Sequence, residues 1–311
     1  MNVIYFDKRI DCPVCYSRVS HVLYQCPYGE EPVRGYLQRA EYYRPDFNLL
    51  TTATYRLRRC HNCHLVYQEE IPNRRLQAII YERWLNADYI TQKHLKVDDL
   101  GYYKYYAFDI MFILNLLGRL PSEVDILDYG FGLGRWARMA RAFGCNVYGM
   151  EISPSRRKIA KDMGIDIIGP NSTKNFDVIN LDQVLEHVPR PVELLQNLRG
   201  CLKKGGFFKL AVPDGSNIEV NLSRGMWAAP RHSRFSLVAA YPLEHINCFN
   251  GRSFNYMIEA AGLKRKEIPM MAKISYAAHN LVFTPKVNKA TYYRLRNFWR
   301  YLDGDTMALA Q

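Results

Sequence analysis

The stretch that most constrains this 311-residue chain is 124–151, VDILDYGFGLGRWARMARAFGCNVYGME. Val124 to Tyr129 is an apolar run of strand length, and it stops at a turn carrying Gly130, Gly132 and Gly134. A helix-like run from Arg135 to Phe143 follows, then a second short apolar run ending at Glu151. Strand, glycine turn, helix and strand in that order call for a parallel sheet with crossover helices. Glycines let the backbone turn tightly and pass close to a ligand. An acid at the end of the second strand is placed to accept from ribose hydroxyls. A dinucleotide-binding turn wants its last glycine at the sixth position of the motif, where this chain has Arg135. Asp128 adds a carboxylate just ahead of the turn. The glycines alone also fit a plain tight turn; Glu151 and the downstream sequence favour a cofactor.

The length allows two domains and a sizeable core. Hydrophobic residues at 48% and charged residues at 23% are ordinary for a globular protein. No apolar run approaches the roughly 20 residues that span a bilayer, and the longest, Ile110 to Leu117, is broken by Asn115. Asp7, Lys8, Arg9 and Asp11 leave no signal-peptide pattern, so the expectation is a cytoplasmic protein with no membrane partner. The net charge of +12 permits nucleic-acid or acidic-substrate binding without demanding it. Oligomeric state is not legible.

Four of the eight cysteines form two Cys-x-x-Cys pairs, Cys12 with Cys15 and Cys60 with Cys63. Without a signal peptide, such pairs favour metal over disulfides. Two knuckles complete a tetrahedral zinc site, and four protein ligands leave no open position, so the zinc is structural. Buried thiols without metal are the alternative. Strand-like runs at 55–59 and 65–67 flank the second knuckle, and the arrangement resembles a zinc ribbon. Tyr16 and His64 stand where ribbons often carry glycine, so those turns are expected to be made differently; His61 and His64 read as bystanders. The tyrosine-rich insert from Tyr16 to Arg59 reads as a solvated, partly packed loop, or else as part of a substrate wall.

Residues 74–118 have helical spacing, with Leu76, Ile79, Ile80 and Trp84 on one stripe and a second stretch from Tyr102 to Leu117. Past Glu151, Ser153-Pro154 starts a helix. Ile165 to Ile168 and Phe176 to Leu181 read as strands, Pro191 to Leu202 as a helix, and Phe207 to Val212 as a fifth strand. The run FDVINLDQVLEHVPRPVELLQNLRGCLKKGGFFKLAVPD and the later LEHINCFNGRSFNYMIEAAGL, with the glycine turn and Glu151, resemble class I S-adenosylmethionine (SAM) methyltransferases over roughly 122–285. With the ribbon in front, the chain resembles zinc-ribbon members that modify small molecules. The resemblance implies an α/β fold, a Rossmann-like seven-stranded sheet whose reversed last strand is expected at Asn280 to Thr284. It divides the chain into a zinc-ribbon module at 1–73, a helical connector covering the cofactor at 74–120, the methyltransferase domain at 121–285 and a basic tail at 286–311. It implies SAM held by Asp128, Gly130, Phe131, Gly132, Gly134, Glu151 and Ile152, with Leu181, Asp182 and Gln183 bordering the cofactor and the acceptor's entry.

The long segment from Pro213 to Asn250 is expected to be the acceptor lid. An alcohol or activated carbon acceptor must lose a proton, and histidine is a suitable base near neutral pH. His187 and His245, each directly after a Glu, are the candidates; for His187 the alternative is simple helix-start packing. Glu244 could orient His245, and Tyr241 could hydrogen-bond the acceptor. Only the Glu244-His245 pair is in register with the Tyr-His-Glu-His run of the sugar C-methyltransferases. Gln183 stands where the ubiquinone-pathway O-methyltransferases have a metal-binding Glu, so no catalytic metal is expected. The resulting expectation is methyl transfer, O- rather than C- or N-, to a small-molecule acceptor such as a sugar or secondary metabolite. An RNA-modifying enzyme, supported by the charge, the ribbon and the basic, aromatic run Lys286 to Arg300, is the alternative, and a non-catalytic SAM-fold binding protein is the third.

Overall fold

The computed structural model describes residues 4–85, 100–151, 153–169, 172–231, 233–270 and 307–311. Its strands are numbered β1 to β12 along the chain. The chain forms two compact units that interleave in sequence. One takes Met1–Lys93, Leu185–Leu194 and Val212–Ala261; the other takes His94–Val184, Leu195–Ala211 and Gly262–Gln311. Two later segments, Leu185–Leu194 and Val212–Ala261, thus belong to the same unit as the N-terminal residues.

In the first unit, β2 (Ser20–Pro27), β3 (Thr54–Cys60) and β4 (Val66–Gln68) form an antiparallel meander, and β11 (Asn247–Cys248) pairs with β4. β1 (Phe6–Lys8) and β5 (Glu70–Pro72) make a separate antiparallel pair. The 16–59 insert is not a solvated loop. It carries the helix Val33–Gln38 and a 3-10 turn at Phe47–Leu50, and it buries Tyr28, Val33, Leu37, Tyr43 and Leu50. The 213–250 segment is likewise packed: Leu222, Trp227, Leu237 and Tyr241 join the same core. It holds the helix Ile218–Ser223 and 3-10 turns at Met226–Ala228 and Val238–Ala240. Aromatic residues dominate this core; Tyr24 lies 5.1 Å and Tyr36 5.5 Å from Trp227, and Tyr36 lies 5.3 Å from Tyr241. Each such buried ring supplies about 2 kcal/mol of apolar burial. In both segments the apolar residues come singly or in short runs such as Leu237–Tyr241, too short and irregular for helical or strand periodicity to announce them.

The second unit is an α/β sheet. β6 (Asp125–Tyr129), β7 (Asn146–Met150), β8 (Asp166–Ile167), β9 (Phe176–Asp182) and β10 (Leu202–Ala211) run parallel. β9 is buried from Phe176 to Leu181, as a parallel strand covered on both faces must be. The order is β12-β10-β9-β6-β7-β8, with β12 (Met307–Ala310) antiparallel to β10. The reversed strand expected at Asn280–Thr284 lies outside the described residues; among those described, the reversed strand is Met307–Ala310. The end of the expected basic tail is thus a buried sheet strand, also bonded along its other edge to Lys264 and Lys266. The sheet has six strands among the described residues.

Helix Leu100–Leu117 ends at Gly118, in the left-handed region at φ +60°. It buries Ile110 and Ile113 in the core of this unit, with Val124, Ile126, Val178 and Phe207. Helix Arg135–Ala142 buries Trp136, Ala137 and Ala140 in the same core. Successive strands run from β6 outward to β7 and β8, and then resume on the other side at β9 and β10. β6 and β9 therefore flank the point where strand order reverses, and ligands of open α/β sheets bind at the carboxyl ends there. Among the described residues, no helix is long and apolar enough to cross a membrane.

Candidate functional site

The turn after β6 lies at that reversal. Gly130, Gly132 and Gly134 all have positive φ, at +68°, +56° and +66°. A side chain at any of them would strain the backbone, and a Cβ on Gly130 would also meet Val184 Cγ2 at 2.9 Å. Nothing lies within 4 Å of the Cβ position of Gly132, so the turn is open on that side. Gly134 N-caps the helix that follows, and Gly130 N–H donates to the carbonyl of Met150 at 2.8 Å, tying the turn to β7. Gly149 lets the Phe131 ring lie against β7; a Cβ there would come within 2.7 Å of it. Glu151, directly after β7, accepts from Ser153 N–H at 3.0 Å, and Arg156 is 3.8 Å from its other oxygen. Ile152 lies outside the described residues.

Beneath the turn is a buried polar network. Asn180 Nδ2 donates to Asp128 Oδ1 at 2.7 Å, and Lys209 Nζ donates to Asn180 Oδ1 at 3.1 Å. Lys209 is fully buried in β10 and also pairs with Asp182 at 3.2 Å and Asp109 at 3.3 Å. Asp109 in turn accepts from Trp136 Nε1. Burial alone would lower the Lys209 ammonium, but Asp109 and Asp182 beside it hold it above its ordinary value. Burial pushes the Asp128 carboxyl up to about 7, against the opposing pull of Asn180 and Lys209. Leu181 is buried in β9; Gln183, exposed and at φ +59°, donates its N–H to the Ala211 carbonyl at 2.8 Å.

In the first unit, Glu186, His187 and His245 come together: one ligand atom from each lies within 4.8 Å of the others. Glu186 is fully buried, and its Oε1 is 3.7 Å from His187 Nε2. The two imidazole rings meet edge to face with centroids 4.9 Å apart. His187 Nδ1 donates to the Glu244 carbonyl at 2.8 Å, and His245 Nδ1 donates to the Val238 carbonyl. Burial, then neighbouring His187 and Arg231, hold His245 well below the usual histidine range. Glu244 thus steadies His187 through its backbone, while Val238 does for His245 what its sequence neighbour Glu244 is expected to do. Tyr241 is buried in the aromatic core, with its ring 6.4 Å from that of His245.

Three residues hold this cluster. Gln68, fully buried, donates to the carbonyls of Tyr241 at 3.1 Å and His245 at 3.0 Å, and accepts from Tyr28 Oη and Leu243 N–H. That grip keeps Leu243 at φ +69°. Asn247 Nδ2 donates to the carbonyls of Leu185 at 2.9 Å and Val188 at 2.8 Å, clamping the turn that carries Glu186 and His187. Arg9 donates to Asn247 Oδ1 at 2.9 Å and to the Ile246 carbonyl at 3.1 Å. Burial and then Arg190 lower the Arg9 guanidinium to about 9.

The four knuckle cysteines also converge. Cys12 and Cys63 Sγ are 3.4 Å apart, Cys15 and Cys60 Sγ are 3.3 Å apart, and all four lie within 4.8 Å of one another. A tetrahedral zinc with Zn–S bonds of about 2.3 Å sets its sulfurs about 3.8 Å apart, so this set can hold one ion. A hydrogen bond from Cys63 lowers the Cys12 thiol to about 6, while burial raises Cys60 to about 11. Tyr16 and His64 take φ +58° and +63°. The knuckle turns are therefore made in the conformation glycine would supply, contrary to the expectation of a different turn.

The family model described as "Methyltransferase domain" matches residues 101–267, more than half of the chain. The chain belongs to this methyltransferase family. Among curated proteins, it is similar to the ubiquinone biosynthesis O-methyltransferase of Nitrosomonas europaea, 27% identical over 109 residues, 31% of this chain and 46% of that protein. It is also similar to the protein of that name from Xanthomonas axonopodis pv. citri, 24% identical over 99 residues, 28% of this chain and 41% of that protein. The matches span less than half the length of either relative. Among solved structures, it is similar to the plantazolicin methyltransferase BpumL in complex with a pentazolic desmethylPZN analogue and SAH, at 16% identity and TM-score 0.49, over 75% of this chain and 92% of that one. A second is SAM-bound CalS10, an amino pentose methyltransferase from Micromonospora echinaspora, at 16% identity and TM-score 0.35, over 40% of this chain and 60% of that one.

The family match takes in the glycine turn, the network beneath it and the Glu186–His187 turn of this methyltransferase, and it reaches past His245. Sequence reasoning finds Asp128, the glycines, Glu151 and both histidines. It misses Lys209, Asn180 and Asp109, although a signal exists: each is a polar residue inside an otherwise apolar run, FFKLAV, VINL and FDIM. Arg9, Gln68 and Asn247 leave no such signal.

Proposed function

We propose that this methyltransferase transfers a methyl group from SAM to a hydroxyl of a small-molecule acceptor, and that its N-terminal unit carries one structural zinc. The observation that carries the reading is the turn after β6: three left-handed glycines, open at Gly132, between Asp128 and Glu151 at the ends of adjacent parallel strands. Such a turn lets a ligand approach the backbone where a Cβ would intrude, and two carboxylates beside it suit a cofactor bearing a positive charge and a ribose diol. Glu151 would exchange its bond from Ser153 N–H for the ribose hydroxyls. Asp128, Gly130, Phe131, Gly132, Gly134 and Ile152 are assigned to the cofactor with it, and Leu181, Asp182 and Gln183 to its border. Lys209 and Asn180 fix the carboxylates of Asp182 and Asp128. Bound SAM supplies an electrophilic methyl on a sulfonium, so the chain's main task is to hold reactants in line.

The acceptor's proton is assigned to the group built on His187 and His245. In each ring Nδ1 faces a carbonyl, which only accepts, so the basic atom is Nε2. Glu244 and Tyr241 are assigned supporting roles, through the Glu244 carbonyl and the ring packing of Tyr241. A hydroxyl acceptor is supported by the curated relatives, which are named O-methyltransferases. Cys12, Cys15, Cys60 and Cys63 would hold the zinc and supply no chemistry.

Incubation with SAM and a panel of nucleotide sugars and phenols, followed by mass spectrometry for S-adenosylhomocysteine and a +14 Da product, tests the reading. Product on at least one hydroxyl acceptor supports it. Folded protein that binds no SAM at saturating concentration overturns it.

A further inference from the structure

We infer that Glu186, His187 and His245 together bind one divalent transition-metal ion, at a site separate from the four cysteines. The three groups supply two imidazole nitrogens and a carboxylate, with ligand atoms within 4.8 Å of one another. The Glu186–His187 separation of 3.7 Å matches the spacing of two ligands on one ion: bonds of about 2.1 Å place them about 3.4 Å apart in a tetrahedron and about 4.2 Å apart across a centre. Both rings are set as metal ligands are set. A ligating histidine gives its other N–H to a carbonyl or carboxylate, which fixes the tautomer and aims the lone pair. His187 does this with the Glu244 carbonyl and His245 with the Val238 carbonyl.

The positions are also held in advance. Asn247 clamps the turn bearing Glu186 and His187, Gln68 grips the carbonyls of Tyr241 and His245, and Arg9 joins Asn247 to Ile246. Two imidazoles and one carboxylate suit zinc, iron(II), cobalt or nickel better than magnesium or calcium, which take oxygen ligands. Three protein ligands leave at least one coordination position open, unlike the closed cysteine set. An oxygen ligand there, water or an acceptor hydroxyl, would lose its proton more easily. With the ion bound, both Nε2 atoms are taken up as its ligands, so the imidazoles would no longer act as the base and the acidified oxygen would give its proton to solvent. That use of the ion rests on the methyl-transfer reading, whereas the binding of the ion does not. Gln183 leads the sequence to argue against a catalytic metal, but the third ligand comes from His245, brought in by β11 and the Gln68 grip.

The test is metal stoichiometry of the full-length chain, stripped with chelator and titrated with cobalt(II), then with zinc and read by native mass spectrometry. Cobalt at the cysteines gives a thiolate charge-transfer band, and cobalt at the second site does not. The expectation is two ions per chain, the second filling without further growth of the thiolate band. In His245→Ala and in Glu186→Gln, the second ion should bind at least tenfold more weakly while the thiolate band stays intact, which also certifies the fold. Binding that stops at one ion in the wild type, with the thiolate band saturated, overturns the inference. So does a second ion that binds both variants unchanged. SAM titration in parallel keeps the methyl-transfer reading separate: SAM bound with a single ion sinks only the second site, and two ions without SAM sink only the methyl-transfer reading.

Discussion

The glycine turn and the histidine cluster are built in opposite ways. Asp128, the three glycines and Glu151 lie within one stretch of chain, and their conformations are local: a left-handed φ at Gly130, Gly132 and Gly134 needs no distant partner to be recognised. The cluster takes Glu186 and His187 from one turn and His245 from a segment far downstream, and is held by Arg9, Gln68 and Asn247 from elsewhere in the first unit. A site made of backbone can be read from spacing. A site made of side chains held by tertiary structure leaves only residue types in the sequence.

The largest expected effect concerns what holds the cluster's unit together. If the four cysteines hold zinc as proposed, Cys60→Ser should release it, and structural zinc sites in small domains contribute on the order of 10 kcal/mol. Near-UV circular dichroism of the aromatic core should collapse and proteolysis should open residues 4–85. An unchanged spectrum would show that the cysteines are spare thiols.

Next comes the turn. Gly130→Ala meets both the left-handed penalty of about 1–2 kcal/mol and the clash with Val184, whereas Gly132→Ala meets open space. Thermal melts of the ligand-free protein should therefore show Gly130→Ala as the more damaging, while calorimetry should show SAM affinity falling at least tenfold in both. Equal melts with unchanged affinity would remove the cofactor from this turn.

Asn247→Ala sharpens the contrast from the other side. It strips the buried carbonyl of Leu185 and the part-buried carbonyl of Val188 of their donor, at about 2 kcal/mol. Turnover should fall severalfold with SAM affinity unchanged. A matching fall in SAM affinity would mean the two sites are not distinct.

Asp128→Asn tests the network under the turn by a slope in pH. Burial raises the Asp128 carboxyl from 3.8 to about 7. Folded protein then holds a proton that unfolded chain has lost between those values, so Asp128 makes stability fall as pH rises through that window. Melting temperatures of Asp128→Asn should depend less on pH between about 4 and 7. An unaltered slope would mean the carboxylate is charged throughout. The smallest expected effect is a gain: His64→Gly, at φ +63°, should stabilise by up to about 1 kcal/mol, read as a small rise in melting temperature.

What the sequence discloses follows the same division. The strands β6, β7, β9 and β10 are legible because buried parallel strands carry near-continuous apolar runs, and the helix Leu100–Leu117 because its Tyr- and Leu-rich run stops at a glycine, Gly118. Met307–Ala310 is not, since a run of only four residues becomes a strand by pairing with Phe208–Ala211. Tyr28, Tyr43, Trp227 and Tyr241 form one core although no run links them. Glu-His pairs at 186–187 and 244–245 draw attention to both histidines, but the group that joins them is Glu186, and the partners of the Nδ1 atoms are backbone carbonyls that no residue type reveals.

The measurement that tests the account most directly is calorimetric titration of SAM into the wild type, Glu151→Ala and His187→Ala, with turnover assayed on the same samples. One SAM per chain is expected for the wild type, at least a tenfold loss of affinity in Glu151→Ala, and unchanged affinity but lost turnover in His187→Ala. Wild-type affinity in Glu151→Ala, or SAM binding lost with His187, would contradict it.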